Sequence, residues 1–266
     1  TRAEVARLDV RTFDFPLSRG GTNPYSDFRT IIALRNALID LKPDANLSYF
    51  VKPAIYGNLA ASLARVPRRV VMLEGLGYGF AEGDGASYRR KIIGIALKGM
   101  LKWSLANAHH TLVLNEDDRD TLVREVGAAG DRIENMGGIG VELSRFEPVA
   151  VRENVTTFAM AARLITEKGV DDYVEAARRI RSYDQGTRFL LLGDVDDNPH
   201  SLSREQLISW RDEGVIEWPG RVDNIQDWLK EADVFVLPSF YREGVPRSTQ
   251  EAMALGRPII TTDHVG

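Results

Sequence analysis

Short β-branched or apolar runs alternate with longer amphipathic stretches along almost the whole of this 266-residue chain. A parallel strand needs a crossover connection to reach its neighbour, and that connection is usually a helix, so the alternation points to parallel sheets covered by helices. The expected strands are residues 10–15, 47–51, 69–74, 111–115 and 132–136, then 157–162, 188–193, 215–218, 234–238 and 258–262. The expected helices are 23–41, 53–65, 88–108 and 116–126, then 170–182, 201–213, 225–231 and 246–255. Ser203 and Gln206 suggest a capped start to the sixth of these. Pro246 near the first turn and Gly256 past the end bracket the last. Residues 137–150 carry Gly and Pro without periodicity and read as a connection. The expectation is therefore two domains, 1–148 and 149–266.

Several function classes fall away on composition. The 44% apolar and 27% charged content is that of a globular chain. The absence of cysteine excludes disulfides and thiolate metal sites. The net charge of −4 is uneven: residues 1–148 hold 20 basic against 18 acidic side chains, and the remainder 14 against 20. An acidic second half argues against nucleic acid as a partner. No apolar run approaches the roughly 20 residues a spanning helix needs. Residues 1–10 are charged throughout and do not resemble a signal peptide. The four histidines lack metal-ligand spacing, and no metal is expected. The chain opens on Thr1 and stops at Gly266 directly after an expected strand, so further sequence is expected at both ends.

Two segments carry the chemistry. Glu243-Gly244-Val245-Pro246-Arg247-Ser248-Thr249-Gln250-Glu251 leaves a strand and enters a helix. Open α/β sheets place ligands at the carboxyl ends of their strands. Gly244 permits close backbone approach, and the following helix offers N–H groups to an anion such as a diphosphate. Glu251 stands about 12 Å of helical rise beyond Glu243, a separation suited to two ends of one long ligand. The bland reading is a turn followed by a helix with an exposed Glu. The second segment, Arg163-Leu164-Ile165-Thr166-Glu167-Lys168-Gly169, also follows a strand end. Arg163 and Lys168 can converge on one phosphate, the first as a fork and the second as a point charge. Taken alone, such a pair is more often a solvated surface.

Together, and with Leu237-Pro238-Ser239, residues 220–224 and the Gly256-Arg257-Pro258 run, these motifs resemble the donor domain of family 4 retaining glycosyltransferases, over about residues 139–266. The first half is similar more loosely, through residues 17–24, 75–78, 115–118 and 138–141, to the subgroup acting on polyprenyl-diphosphate-linked sugars. The resemblance implies a GT-B fold: two Rossmann-like domains facing a cleft, here truncated at both ends. It implies that residues 1–148 form the acceptor side and 149–266 the nucleotide-sugar side. Arg163 and Lys168 would neutralise the donor diphosphate, and Glu243 would contact the donor sugar. Gly244, Val245 and Pro246 would supply backbone groups, Glu251 would hold the ribose, and Val222 would border the base. Catalysis would rest on Glu243, Arg163 and Lys168, without metal or cofactor, because charge grows on the leaving diphosphate as the glycosidic bond breaks.

The loop Gly75-Leu76-Gly77-Tyr78-Gly79 fails as a dinucleotide fingerprint, since the third glycine would fall at Phe80. By resemblance Glu74, Gly75, Leu76, Gly77 and Tyr78 would border the acceptor. Residues 89–105 combine five basic side chains with Ile, Leu, Met and Trp and contain no acid. Such a helix fits a membrane interface. The partners that the resemblance implies are thus a nucleotide-diphosphate sugar, uridine-based by family habit, a polyprenyl-linked acceptor and the inner face of the cell membrane. That places the chain in the cytoplasm as a peripheral glycosyltransferase in surface glycan synthesis. The alternatives are a nucleotide-sugar-binding module or an epimerase of the same fold.

Overall fold

The computed structural model describes residues 5, 7–17, 24–76, 88–150, 152, 156–196 and 200–265, with the side chains of Pro24 and residues 88–93 outside that set. The chain divides into two units, Thr1–Met136 and Gly137–Gly266. The division falls at the start of the stretch expected as a connection. Phe146 and Val149 from that stretch join the second unit's core, and the Val149 N–H donates to the Leu255 carbonyl at 3.1 Å.

In the first unit α1 (Pro24–Leu41) precedes β1 (Ala45–Tyr49), α2 (Val51–Leu63), β2 (Arg68–Leu73), α3 (Tyr88–Ala106), β3 (His110–Val113), α4 (Glu116–Thr121) and β4 (Ile133–Asn135). The four strands are parallel in the order β1-β2-β3-β4. Val71, Leu73 and Val113 meet Ala54 and Ile55 of α2 and Leu101 and Leu105 of α3 in the core. The strand expected at 10–15 does not form. Val10, Phe13 and Phe15 are exposed and pair with no strand, so alternating apolar residues found no sheet to join. The helix expected at 116–126 changes character midway: α4 gives way to a π turn over Leu122–Val126, which ends at Gly127 in the left-handed region. Asn115 caps α4 by accepting from the Asp118 N–H at 2.7 Å.

The second unit contains β5 (Thr157–Ala161), α5 (Val170–Arg181), β6 (Arg188–Leu192), α6 (Arg204–Asp212), β7 (Glu217–Gly220), α7 (Ile225–Glu231), β8 (Val234–Leu237), α8 (Arg247–Ala254) and β9 (Ile259–Thr261). Val170, Tyr173, Val174 and Ala177 form the buried face of α5 at helical spacing. The Tyr173 hydroxyl donates within the core to the carbonyls of Leu190, at 2.9 Å, and Phe158, at 3.1 Å. Ser203 caps α6, accepting from the Gln206 N–H at 3.1 Å, so the helix starts one residue after the expected cap.

All pairings in this second sheet are parallel, and its order is β7-β6-β5-β8-β9. The chain winds outward from β5 to β6 and β7, then returns to the other side of β5 for β8 and β9. The connections leaving β5 and β8 therefore depart in opposite senses. A crevice opens between their carboxyl ends, where such sheets bind ligands.

Candidate functional site

Both chemistry-bearing segments leave the sheet at that switch point. After β5 the chain passes Arg163, makes a single 3-10 turn over Thr166–Lys168, and enters α5 through Gly169. After β8 it passes Ser239, Phe240 and Tyr241 and reaches Glu243 before α8. Gly169 has φ 72°, and a Cβ there would lie 2.0 Å from the Pro238 carbonyl oxygen. Only glycine allows the two loops to approach this closely. The Phe240 N–H then donates to the Glu167 carbonyl at 2.9 Å, and the Ser239 hydroxyl reaches the same oxygen at 3.4 Å.

This strapping brings Arg163, Lys168 and Glu243 together. Lys168 is buried, and its Nζ donates to Glu243 Oε1. Burial pushes the Lys168 ammonium below its ordinary range; Glu243 partly restores it and the Arg163 charge lowers it further. Arg163 lies farther out, 3.9 Å from Asp196 Oδ2. Tyr241, which sequence reasoning passed over, lies within reach of both cations: its ring centroid is 5.4 Å from Lys168 Nζ and 5.6 Å from Arg163 Cζ.

Glu251 occupies the buried side of α8 and accepts from Arg247 Nε at 3.0 Å. Burial raises its proton affinity, offset in part by Arg247 and Arg145. Glu243 and Glu251 thus each have a cation of their own. Gly244 is buried and Val245 half-buried, and Pro246 is the N-cap of α8 without a side-chain cap, so the helix begins at Arg247, one position later than expected. Val222 is half-buried just beyond β7, the strand at one edge of the sheet.

In the first unit Glu74 follows β2 directly, and burial raises its carboxyl above the ordinary range. Gly75 has φ 122°. Leu76 packs into the core, so Glu74 and Gly75 are the described groups at this strand end. Gly77 and Tyr78 lie outside the described residues. On α3, Leu101, Ser104 and Leu105 face inward, whereas Ile95, Met100 and Trp103 are exposed, Ile95 to 72%. Lys98 of this basic helix pairs with Glu125 at 2.6 Å. Among the described residues no helix is long and apolar enough to cross a membrane, and no three acidic or histidine side chains gather as a metal site.

Residues 155–266 match the family model described as "Glycosyl transferases group 1". The chain carries a group 1 glycosyltransferase domain. The curated relatives of this glycosyltransferase include the N,N'-diacetylbacillosaminyl-diphospho-undecaprenol alpha-1,3-N-acetylgalactosaminyltransferase of Campylobacter jejuni, 28% identical over 97% of this chain and 69% of its own length. A UDP-Gal:alpha-D-GlcNAc-diphosphoundecaprenol alpha-1,3-galactosyltransferase of Escherichia coli is 26% identical over 97% of this chain and 67% of its own. Among solved structures, Anabaena HepE in complex with UDP and glucose superposes with a TM-score of 0.73 at 12% identity, covering 100% of this chain and 71% of that one. Sucrose-phosphate synthase from Thermosynechococcus elongatus gives 0.69 at 19% identity, over 91% and 61%. The glycosyltransferase fold is accordingly of the GT-B type, as the motifs implied.

Proposed function

We propose that this glycosyltransferase moves a hexosyl or N-acetylhexosaminyl group, with retention of anomeric configuration, from a UDP-sugar to a polyprenyl-diphosphate-linked saccharide during surface glycan synthesis. The observation that carries the reading is the convergence of Arg163, Lys168 and Glu243 at the β5/β8 switch point. A diphosphate leaving group gains negative charge as its bond to the anomeric carbon breaks. Cations already in place stabilise that charge more in the transition state than in the ground state. The uncapped start of α8 adds N–H dipoles of the same sense, and Gly244, Val245 and Pro246 bring the backbone to it. Glu243 receives the donor sugar, Glu251 the ribose hydroxyls, and Val222 borders the base. On the other unit, Glu74 and the loop after it orient the acceptor. Donor and acceptor names of the Campylobacter jejuni and Escherichia coli relatives support this substrate class.

The exposed Ile95, Met100 and Trp103 on the basic helix α3 support a peripheral seat at the cytoplasmic face of the membrane, where a polyprenyl-linked acceptor resides. Calorimetric titration with UDP tests the donor site. Binding in the micromolar range that disappears in Arg163→Ala is expected; undiminished binding in that variant removes the diphosphate from this loop.

A further inference from the structure

Arg163 and Lys168 repel one another, and this repulsion contributes to the lowered proton affinity of Lys168. Long cationic side chains left to themselves separate and hydrate, and an arriving diphosphate must then gather them at an entropic cost. Here both lie within cation–π reach of a single ring, that of Tyr241. The backbone that carries the ring is itself held. The Tyr241 N–H donates to Ser239 Oγ at 3.2 Å, and that hydroxyl and the Phe240 N–H both reach the Glu167 carbonyl, one residue before Lys168. The Thr262 hydroxyl at the end of β9 donates to the Ser239 carbonyl, tying the strap to the sheet. The loop after β8 therefore carries an aromatic face to a fixed place over the loop after β5.

We infer that Tyr241 is a positioning residue for diphosphate recognition: its ring face holds Arg163 and Lys168 side by side before the donor arrives. The inference rests on the reading of these two cations as the diphosphate site. It assigns the work to the ring's negative face and none to the phenol hydroxyl. Phe and Trp should therefore substitute, and an aliphatic residue of similar bulk should not.

The test measures affinities for a nucleoside diphosphate and the matching monophosphate, taking from UDP, GDP, ADP and dTDP the one that wild type binds most tightly. Tyr241→Leu should lower the diphosphate-to-monophosphate ratio roughly tenfold, in line with two weak cation–π contacts. Tyr241→Phe should stay within about twofold of wild type and Tyr241→Trp should match or exceed it. Thermal midpoints should be alike, since Tyr241 is only half-buried. A merely structural tyrosine would weaken both nucleotides together and leave the ratio unchanged. An unchanged ratio in Tyr241→Leu, with the diphosphate preference lost in Arg163→Ala, overturns the positioning role alone. A lowered ratio in both Phe and Trp variants also overturns it, and needs no result from Tyr241→Leu if that variant fails to fold. Retention of the diphosphate preference in Arg163→Ala, or no binding of any diphosphate by wild type, overturns the site and this inference with it.

Discussion

Lys168 and Glu243 meet across 75 residues of sequence, the ammonium buried and the carboxylate retaining access to water. The pairing sets a competition, because an incoming diphosphate must draw Lys168 away from a carboxylate it already satisfies. Removing each partner should therefore have opposite consequences for nucleotide binding. Lys168→Ala leaves Glu243 able to hydrate, so the fold should persist while UDP affinity falls roughly 10- to 100-fold, the cost of a charged hydrogen bond of about 1.5–3 kcal/mol. Glu243→Gln removes the competitor, so UDP should bind at least as tightly as before even as sugar transfer is lost. Calorimetry on the two variants checks both; equal weakening of UDP binding would show that the pair acts as a unit rather than as competitors.

The same lysine gives affinity and stability opposite dependences on pH. Burial places its folded proton affinity below the ordinary value of 10.5. Between the folded value and 10.5 the unfolded chain holds the proton that the native one has released, so folding stability rises with pH through that window. UDP affinity should fall through it, because the neutral amine no longer attracts the diphosphate. Titrating UDP at increasing pH should show a decline that begins below the ordinary lysine range and flattens in Lys168→Arg. Affinity that is level up to 10.5 would contradict a buried, depressed lysine.

Gly169 lets the two site loops touch. Gly169→Ala imposes both a left-handed φ on alanine and a collision with the Pro238 carbonyl. It should cost more than about 2 kcal/mol in urea denaturation and weaken UDP binding at the same time. A loss of under about 0.5 kcal/mol would mean that the loops can separate freely.

Far from the site, Asp233 anchors the amino end of the second sheet. Burial alone would raise its proton affinity, but the N–H groups of Thr156, at 3.0 Å, and Thr157, at 2.9 Å, together with Arg152, hold it below the ordinary 3.8. Its contribution is complete above 3.8 and is lost as pH falls through the lower folded value. Asp233→Ala leaves two amide donors without their acceptor and should destabilise by about 2–4 kcal/mol, with UDP affinity unchanged at temperatures where the variant remains folded. Chemical denaturation at neutral and acid pH measures both effects; a variant as stable as wild type would contradict the assignment.

The exposed apolar stripe on α3 should respond to lipid. Vesicles rich in anionic phospholipid should retain the wild-type chain, and the double variant Ile95→Ser/Trp103→Ser should bind them several-fold less in sedimentation, with UDP affinity unaltered. Equal retention of both proteins would move membrane contact to another surface.

Much of this arrangement could be read from the chain, for reasons visible in particular residues. Val170, Tyr173, Val174 and Ala177 announce a buried helical face because spacing alone decides it. Gly169 is where backbone meets backbone, against the Pro238 carbonyl. Residues 10–15 misled because alternation describes a strand's faces without supplying a partner, and none is paired there. The resemblance puts Leu76 beside the acceptor, yet its apolar side chain packs inward. Tyr241 escaped notice because a loop tyrosine between Phe240 and Arg242 has no periodicity to set it apart. Its place over Arg163 and Lys168 arises only when the sheet order puts β8 beside β5.

The measurement that reaches the central claim most directly is sugar transfer itself. The chain is incubated with UDP-sugars and a polyprenyl-diphosphate-linked saccharide, and the lipid product is followed by mass and by the anomeric configuration of the new linkage. The account predicts addition of one sugar with the donor's configuration kept, and no addition by folded Arg163→Ala or Glu243→Gln. Full transfer by either variant, or a product of inverted configuration, would contradict it.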